Sequence, residues 1–144
     1  MTRYKLDFFV LALLGCASLL ISGCAPSKPK FDIQMEGIDP SQSGACYADL
    51  NSGNLAFSNN MHAAGGVGFL KDPKYAGPIN SKIITPYTQA ISAGGQCASK
   101  GYNNRGEVYL LMEDFPKACA DLQKACQLGI CSGYNLSQKN GQCR

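Results

Sequence analysis

Apolar positions fall at helical spacing over the C-terminal part of the chain, and one unbroken apolar run lies near the N-terminus. The clearest pattern spans Gly101 to Leu128. Tyr102, Gly106 and Tyr109 share one helical face, so a small gap sits between two rings. The pattern breaks at Glu113-Asp114-Phe115, and Pro116 then suits the first turn of a second helix, where its missing N–H costs little. In that second helix Ala118, Leu122 and Ala125 recur at i, i+4 and i+7, a stripe of small residues flanking one large one. Upstream, Ser81 to Ile91 reads as another helix, stopped by Gly94-Gly95. Downstream, Gly133-Tyr134-Asn135 echoes Gly101-Tyr102-Asn103, and a closing helix runs through Ser137 to Lys139 and stops near Asn140-Gly141. From Phe31 to Asn80 no period is sustained. Asp39-Pro40-Ser41 and Asn51-Ser52-Gly53-Asn54 are turn signals, so residues 41–80 are expected to be irregular and loop-rich.

Tyr102, Gly106, Tyr109, Ala118, Leu122 and Ala125 give this stretch a resemblance to the tetratricopeptide repeat, a helix–turn–helix unit of helical solenoids. Ile130 departs from the family, which usually has proline there, and the cysteines are a further departure. Residues 81–91 then resemble the second helix of a preceding, degenerate copy. The resemblance implies a mainly α fold over 81–144: a short tetratricopeptide-like array of helical hairpins, preceded by the irregular segment. In that family first helices line a concave surface that takes a peptide. Carried over residue by residue, Lys100, Asn103, Glu107 and Leu110 would line it here. Asn103 would bond a peptide backbone, and Lys100 and Glu107 would set its register. One full repeat is little for such a groove, and ordinary solvated helix residues are an equal reading of these positions.

The N-terminus carries an address. Arg3 and Lys5 precede the apolar run Phe8 to Ile21, which is short for a membrane span and suited to a secretory signal. Ile21-Ser22-Gly23-Cys24 resembles a bacterial lipobox. That resemblance implies a signal peptide over 1–23, a covalent lipid on Cys24 and an extended Pro- and Lys-rich tether over 24–40. Ala25, where some lineages place an aspartate to retain lipoproteins at the inner membrane, points to the outer membrane and its periplasmic face. A rival lipobox ending at Cys16 would leave Leu19-Leu20-Ile21 exposed in the mature chain.

Eight cysteines are present, and Cys16 and Cys24 belong to the address. Cys46, Cys97, Cys119, Cys126, Cys131 and Cys143 remain, an even set that in an exported chain argues for disulfides. There is no Cys-x-x-Cys, so neither a thioredoxin-type site nor c-type haem attachment is indicated, and a four-thiolate zinc site is disfavoured by an oxidising compartment. The repeat resemblance extends to a cysteine-rich branch in which helix-end cysteines join neighbouring helices. With the helix order it implies, Cys131 comes near Cys126 and Cys143 near Cys119, leaving Cys46 with Cys97. The competing set joins Cys97 to Cys126 and Cys46 to Cys131. Both remain open on the sequence.

Charge and composition add mainly exclusions. The 13 Lys and Arg against 10 Asp and Glu give a net charge of +3 with no basic run, which argues against nucleic acid as a partner. Tryptophan is absent and 16 residues are glycine, so the core is expected to be modest and to need cross-links. Ser27-x-x-Lys30 matches a penicillin-binding motif, but Pro29 removes the helix that motif needs. Gly65-Gly66-Val67-Gly68 lacks the ending of a phosphate loop. His62 is the only histidine, which leaves no histidine metal cluster and no choice of base for a triad. The expected function is therefore a non-enzymatic, lipid-anchored adaptor or scaffold that holds a protein partner in a cell-envelope complex, with no metal, no cofactor besides the lipid and no small-molecule substrate. The alternatives are a structural subunit without a peptide groove and, last, a cell-wall-related hydrolase of the cysteine-rich repeat type.

Overall fold

Helices account for most of the described backbone, and at several positions glycine lets them approach closely. The computed structural model describes Met35, Glu36 and residues 44–144, all within the compact unit Asp32–Arg144. The signal peptide expected over 1–23, the expected lipid site Cys24, the rival Cys16 and the tether expected over 24–40, apart from Met35 and Glu36, lie outside the described residues. Among the described residues there is no strand. The elements are α1 (Ala45–Ala63), two short 3-10 turns (Val67–Lys71 and Pro73–Tyr75), α2 (Ala76–Ile79), a π-helical turn (Asn80–Ile84), α3 (Thr85–Ala93), α4 (Gly95–Leu111), α5 (Phe115–Gln127) and α6 (Ser132–Lys139). Neighbours in sequence pack together from α3 to α6, and α1 lies against the π turn, α3 and α4.

The α4–α5 hairpin is built as its periodicity implies. A Cβ on Gly106 would lie 2.8 Å from Leu122 Cγ, so the gap between Tyr102 and Tyr109 is where Leu122 seats. Ala118, Leu122 and Ala125 are fully buried. The turn between the helices places Glu113 at a φ of 62°, a left-handed conformation uncommon outside glycine. Asp114 caps α5 by accepting from the Lys117 N–H, and Pro116 occupies the first turn. Lys117 also donates to the Asp114 carboxylate, which holds that carboxyl below its ordinary pKa. Arg105 grips Asp121 with Nε to Oδ2 at 2.7 Å and Nη2 to Oδ1 at 2.9 Å, while Nη1 reaches Thr88 at 2.9 Å, so one side chain joins α3, α4 and α5.

The helix expected over 81–91 begins earlier and carries a wide turn. Pro86 has no N–H, and its ring clashes with the carbonyl four residues back in a regular helix. The backbone just before it widens to a π turn, and both the N–H and the hydroxyl of Thr85 reach the carbonyl of Asn80.

Residues 45–63 depart from the sequence expectation. Where an irregular segment was expected, a helix of 19 residues forms. Its stripe is narrow: Leu50, Gly53 and Phe57 are the buried positions. Gly, Asn and Ser are poor helix formers, so the helix depends on what it packs against rather than on propensity. A Cβ on Gly53 would come 2.5 Å from Tyr87 Cε1, and the missing methyl lets the ring approach α1 closely.

Three disulfides tie the array: Cys46–Cys97, Cys119–Cys143 and Cys126–Cys131, with Cα–Cα distances of 6.0, 5.4 and 4.0 Å. These are the pairs implied by the cysteine-rich repeat resemblance, and the competing set is absent. The last two bonds also fix direction. Cys131 precedes α6 and joins the end of α5, and Cys143 follows α6 and joins the start of α5, so the two helices run antiparallel.

Candidate functional site

The site grows from two asparagines in the middle of α4. Asn103 and Asn104 are both fully buried, although asparagine is a poor residue for a helix interior unless its amide is used. Asn104 is used completely. Its Oδ1 accepts from the backbone N–H of Glu36 at 2.8 Å and from Asn103 Nδ2 at 3.4 Å. Its Nδ2 donates to the carbonyl of Glu36 at 3.3 Å and to Asn54 Oδ1 at 2.9 Å. Both lone pairs and both hydrogens of the amide therefore have partners. Asn54 Nδ2 adds a bond to the same Glu36 carbonyl at 3.4 Å, and Tyr87 donates its hydroxyl to Asn54 Oδ1 at 2.8 Å. The Tyr87 hydroxyl also lies 3.9 Å from the sulfur of Met35, and burial holds its pKa above the ordinary value.

The result is a seat at the junction of α1, α3 and α4 that holds the main chain of one non-helical residue. Its groups contact the N–H and C=O of Glu36, so they read backbone.

A second polar centre adjoins it. Glu107 is 2 % exposed, and burial pushes the pKa of its carboxyl up to about 7. Glu107 Oε1 and Asn103 Oδ1 converge on Gly133, where a Cβ would meet them at 2.6 and 3.0 Å. Gly133 thus lets α6 close over a carboxyl group that a side chain would displace. The echo of Gly101 at Gly133 has this packing basis, since Gly101 lets α4 approach Ile91 and the carbonyl of Tyr87 in the same way.

The four positions assigned to a concave surface are placed as follows. Asn103, Glu107 and Leu110 are buried, facing the interior of the array, and Lys100 is half-buried on α4. Tyr102 and Tyr109 are half-buried on either side of the buried Gly106. The carboxylate and amide functions are therefore packed beneath α6 and beside the Glu36 main chain. Sequence reading missed Asn104, Asn54, Tyr87, Met35 and Glu36 as a group. A signal was available for part of it: two adjacent asparagines inside an otherwise helical apolar pattern are unfavourable unless buried amides are needed.

The described residues contain no group of three or more His, Cys, Asp or Glu able to hold a metal ion. None of their helices is long and apolar enough to cross a membrane.

Fold and site together define a mainly α-helical, disulfide-linked array with a buried seat for polypeptide backbone. Comparison of the chain with family models, curated proteins and solved structures finds no match.

Proposed function

We propose that this chain is a non-enzymatic, lipid-anchored protein on the periplasmic face of a bacterial outer membrane. In this reading α3 to α6 form a shortened tetratricopeptide-like array that holds a protein partner and so tethers it, or assists its assembly into an envelope complex. The anchor is Cys24 in the lipobox-like Ile21-Ser22-Gly23-Cys24. The observation that supports protein binding is the grip of Asn104 and Asn54 on the Glu36 backbone, because such a seat accepts polypeptide of varied sequence.

Labelling growing cells with a palmitate analogue tests the anchor. Cys24→Ser should lose the label and leave the membrane fraction. Crosslinking in intact cells tests the holding role. A specific crosslinked partner should appear with the native chain and be lost in Asn104→Ala, with helicity checked by circular dichroism.

A second reading is a structural subunit with no peptide groove, and the burial of Asn103, Glu107 and Leu110 favours it. A partner retained in Asn104→Ala would select that reading.

A further inference from the structure

We propose that Met35–Glu36 is a built-in occupant of the Asn54–Tyr87–Asn104 seat, and that a partner's extended segment enters only by replacing it. The inference rests on the reading of the array as a protein holder and names how that holding is gated.

Three observations carry it. Among the described residues, the hydrogen bonds from the seat to Glu36 go to its N–H and C=O, groups that every residue except proline presents. Nothing in those bonds is specific to this segment. Both described residues of the occupant are non-helical, and Glu36 lies 68 residues from Asn104 in sequence, so the seat takes up a distant piece of the chain. The neighbouring contact is also permissive. The flexible thioether of Met35 lies beside the Tyr87 hydroxyl, and such a side chain is readily exchanged for another apolar one.

The chemistry of the incoming partner follows. It is an extended polypeptide segment with a non-proline residue at the seat, preceded by an unbranched or flexible apolar residue. Its apparent affinity is reduced by the fraction of molecules whose seat is already filled from within, so releasing Met35–Glu36 switches binding on.

Proline at position 36 removes the N–H that Asn104 accepts while leaving the side-chain chemistry of the seat intact. Alanine at that position keeps the N–H and serves as the control. A fluorescent peptide with the sequence of residues 31–40 is titrated against the full chain, and binding is read by anisotropy. Glu36→Pro should bind it at least tenfold more tightly than the native chain, and Glu36→Ala should match the native chain. Asn104→Ala placed on Glu36→Pro should abolish binding. A peptide N-methylated at the residue matching Glu36 should fail in every case. Equal binding by the native chain and Glu36→Pro would overturn the proposal, as would binding that survives Asn104→Ala. A native chain that sediments as a dimer and becomes monomeric in Glu36→Pro would also overturn it, because the occupant would then come from a second copy. Peptide binding decides the exchange alone, and the crosslink in cells decides the adaptor role, so either can fail without the other.

Discussion

The two ends of the described array are held together by different means. From α4 to α6 the helices follow one another closely, and two disulfides with sequence separations of 24 and 5 lie within the same stretch. At the other end α1 is a helix of poor formers, fastened to α4 by one disulfide with a separation of 51 and by the Asn54–Asn104 contact. The first region is specified locally, by small and large residues at helical spacing. The second exists because distant groups complete it. The contrast means that stability and order should depart from α1 before they depart from α5.

The strongest way to break the contrast is to cut the long-range bond. Cys46→Ser with Cys97→Ser should cost about 4 kcal/mol on the loop-entropy scale for a separation of 51, measured by urea unfolding. Hydrogen exchange should then show α1 amides opening well before those of α5. If α1 and α5 open together, the two regions are one cooperative unit and the contrast fails. Cys119→Ser with Cys143→Ser should cost roughly 3 kcal/mol and loosen α6 first.

Acidity probes the C-terminal region through Glu107. Its pKa in the fold, about 7, lies above the ordinary 4.5, so the native state holds the proton more tightly than the unfolded chain. The stability contributed by Glu107 is therefore fully present below about pH 4.5, declines as pH rises, and is lost above about pH 7. Glu107→Gln should flatten that decline and raise stability at pH 8 by up to roughly 3 kcal/mol. Thermal melts of both proteins at pH 5 and pH 8 check the sign. A native chain more stable at pH 8 than at pH 5, with no change in slope in the variant, would remove Glu107 as the cause.

The smallest effects compare one glycine from each region. Gly53→Ala places a methyl 2.5 Å from the Tyr87 ring, and Gly106→Ala places one 2.8 Å from Leu122. Each should cost about 1–3 kcal/mol by overpacking. Only Gly53→Ala should also disturb the seat, which would be seen as faster exchange at the Glu36 amide.

What could be read from the chain follows the same division. The α4–α5 hairpin was legible because Gly106 and Leu122 are reciprocal, a gap and the group that fills it, and each stands in a regular period. The disulfide pairs were open between two sets on the sequence, and the observed set was the one that the repeat resemblance implied. The 45–63 helix was not, since Asn51-Ser52-Gly53-Asn54 carries every local mark of a turn and becomes helical through Tyr87 and Cys97. The π turn before Pro86 was hidden for a similar reason: periodicity reports which face is apolar and says nothing of one extra residue in a turn. Two of the four positions assigned to an open surface, Asn103 and Glu107, are interior for a reason that spacing does not encode, namely that Gly133 lets α6 close over them.

The arrangement of the disulfides also bears on the order in which the protein can be made. A chain oxidised as its cysteines emerge, N-terminus first, joins Cys46 to Cys97 correctly, since those are the first two of the six that are paired among the described residues. The next two to appear are Cys119 and Cys126, which do not belong together, because Cys126–Cys131 is nested inside Cys119–Cys143. Once α5 is wound, seven residues of helix hold that wrong pair about 10 Å apart, farther than a disulfide spans. In a chain oxidised in that order the helix would act as a spacer, and weakening α5 should raise the demand for disulfide isomerisation before it alters the finished fold.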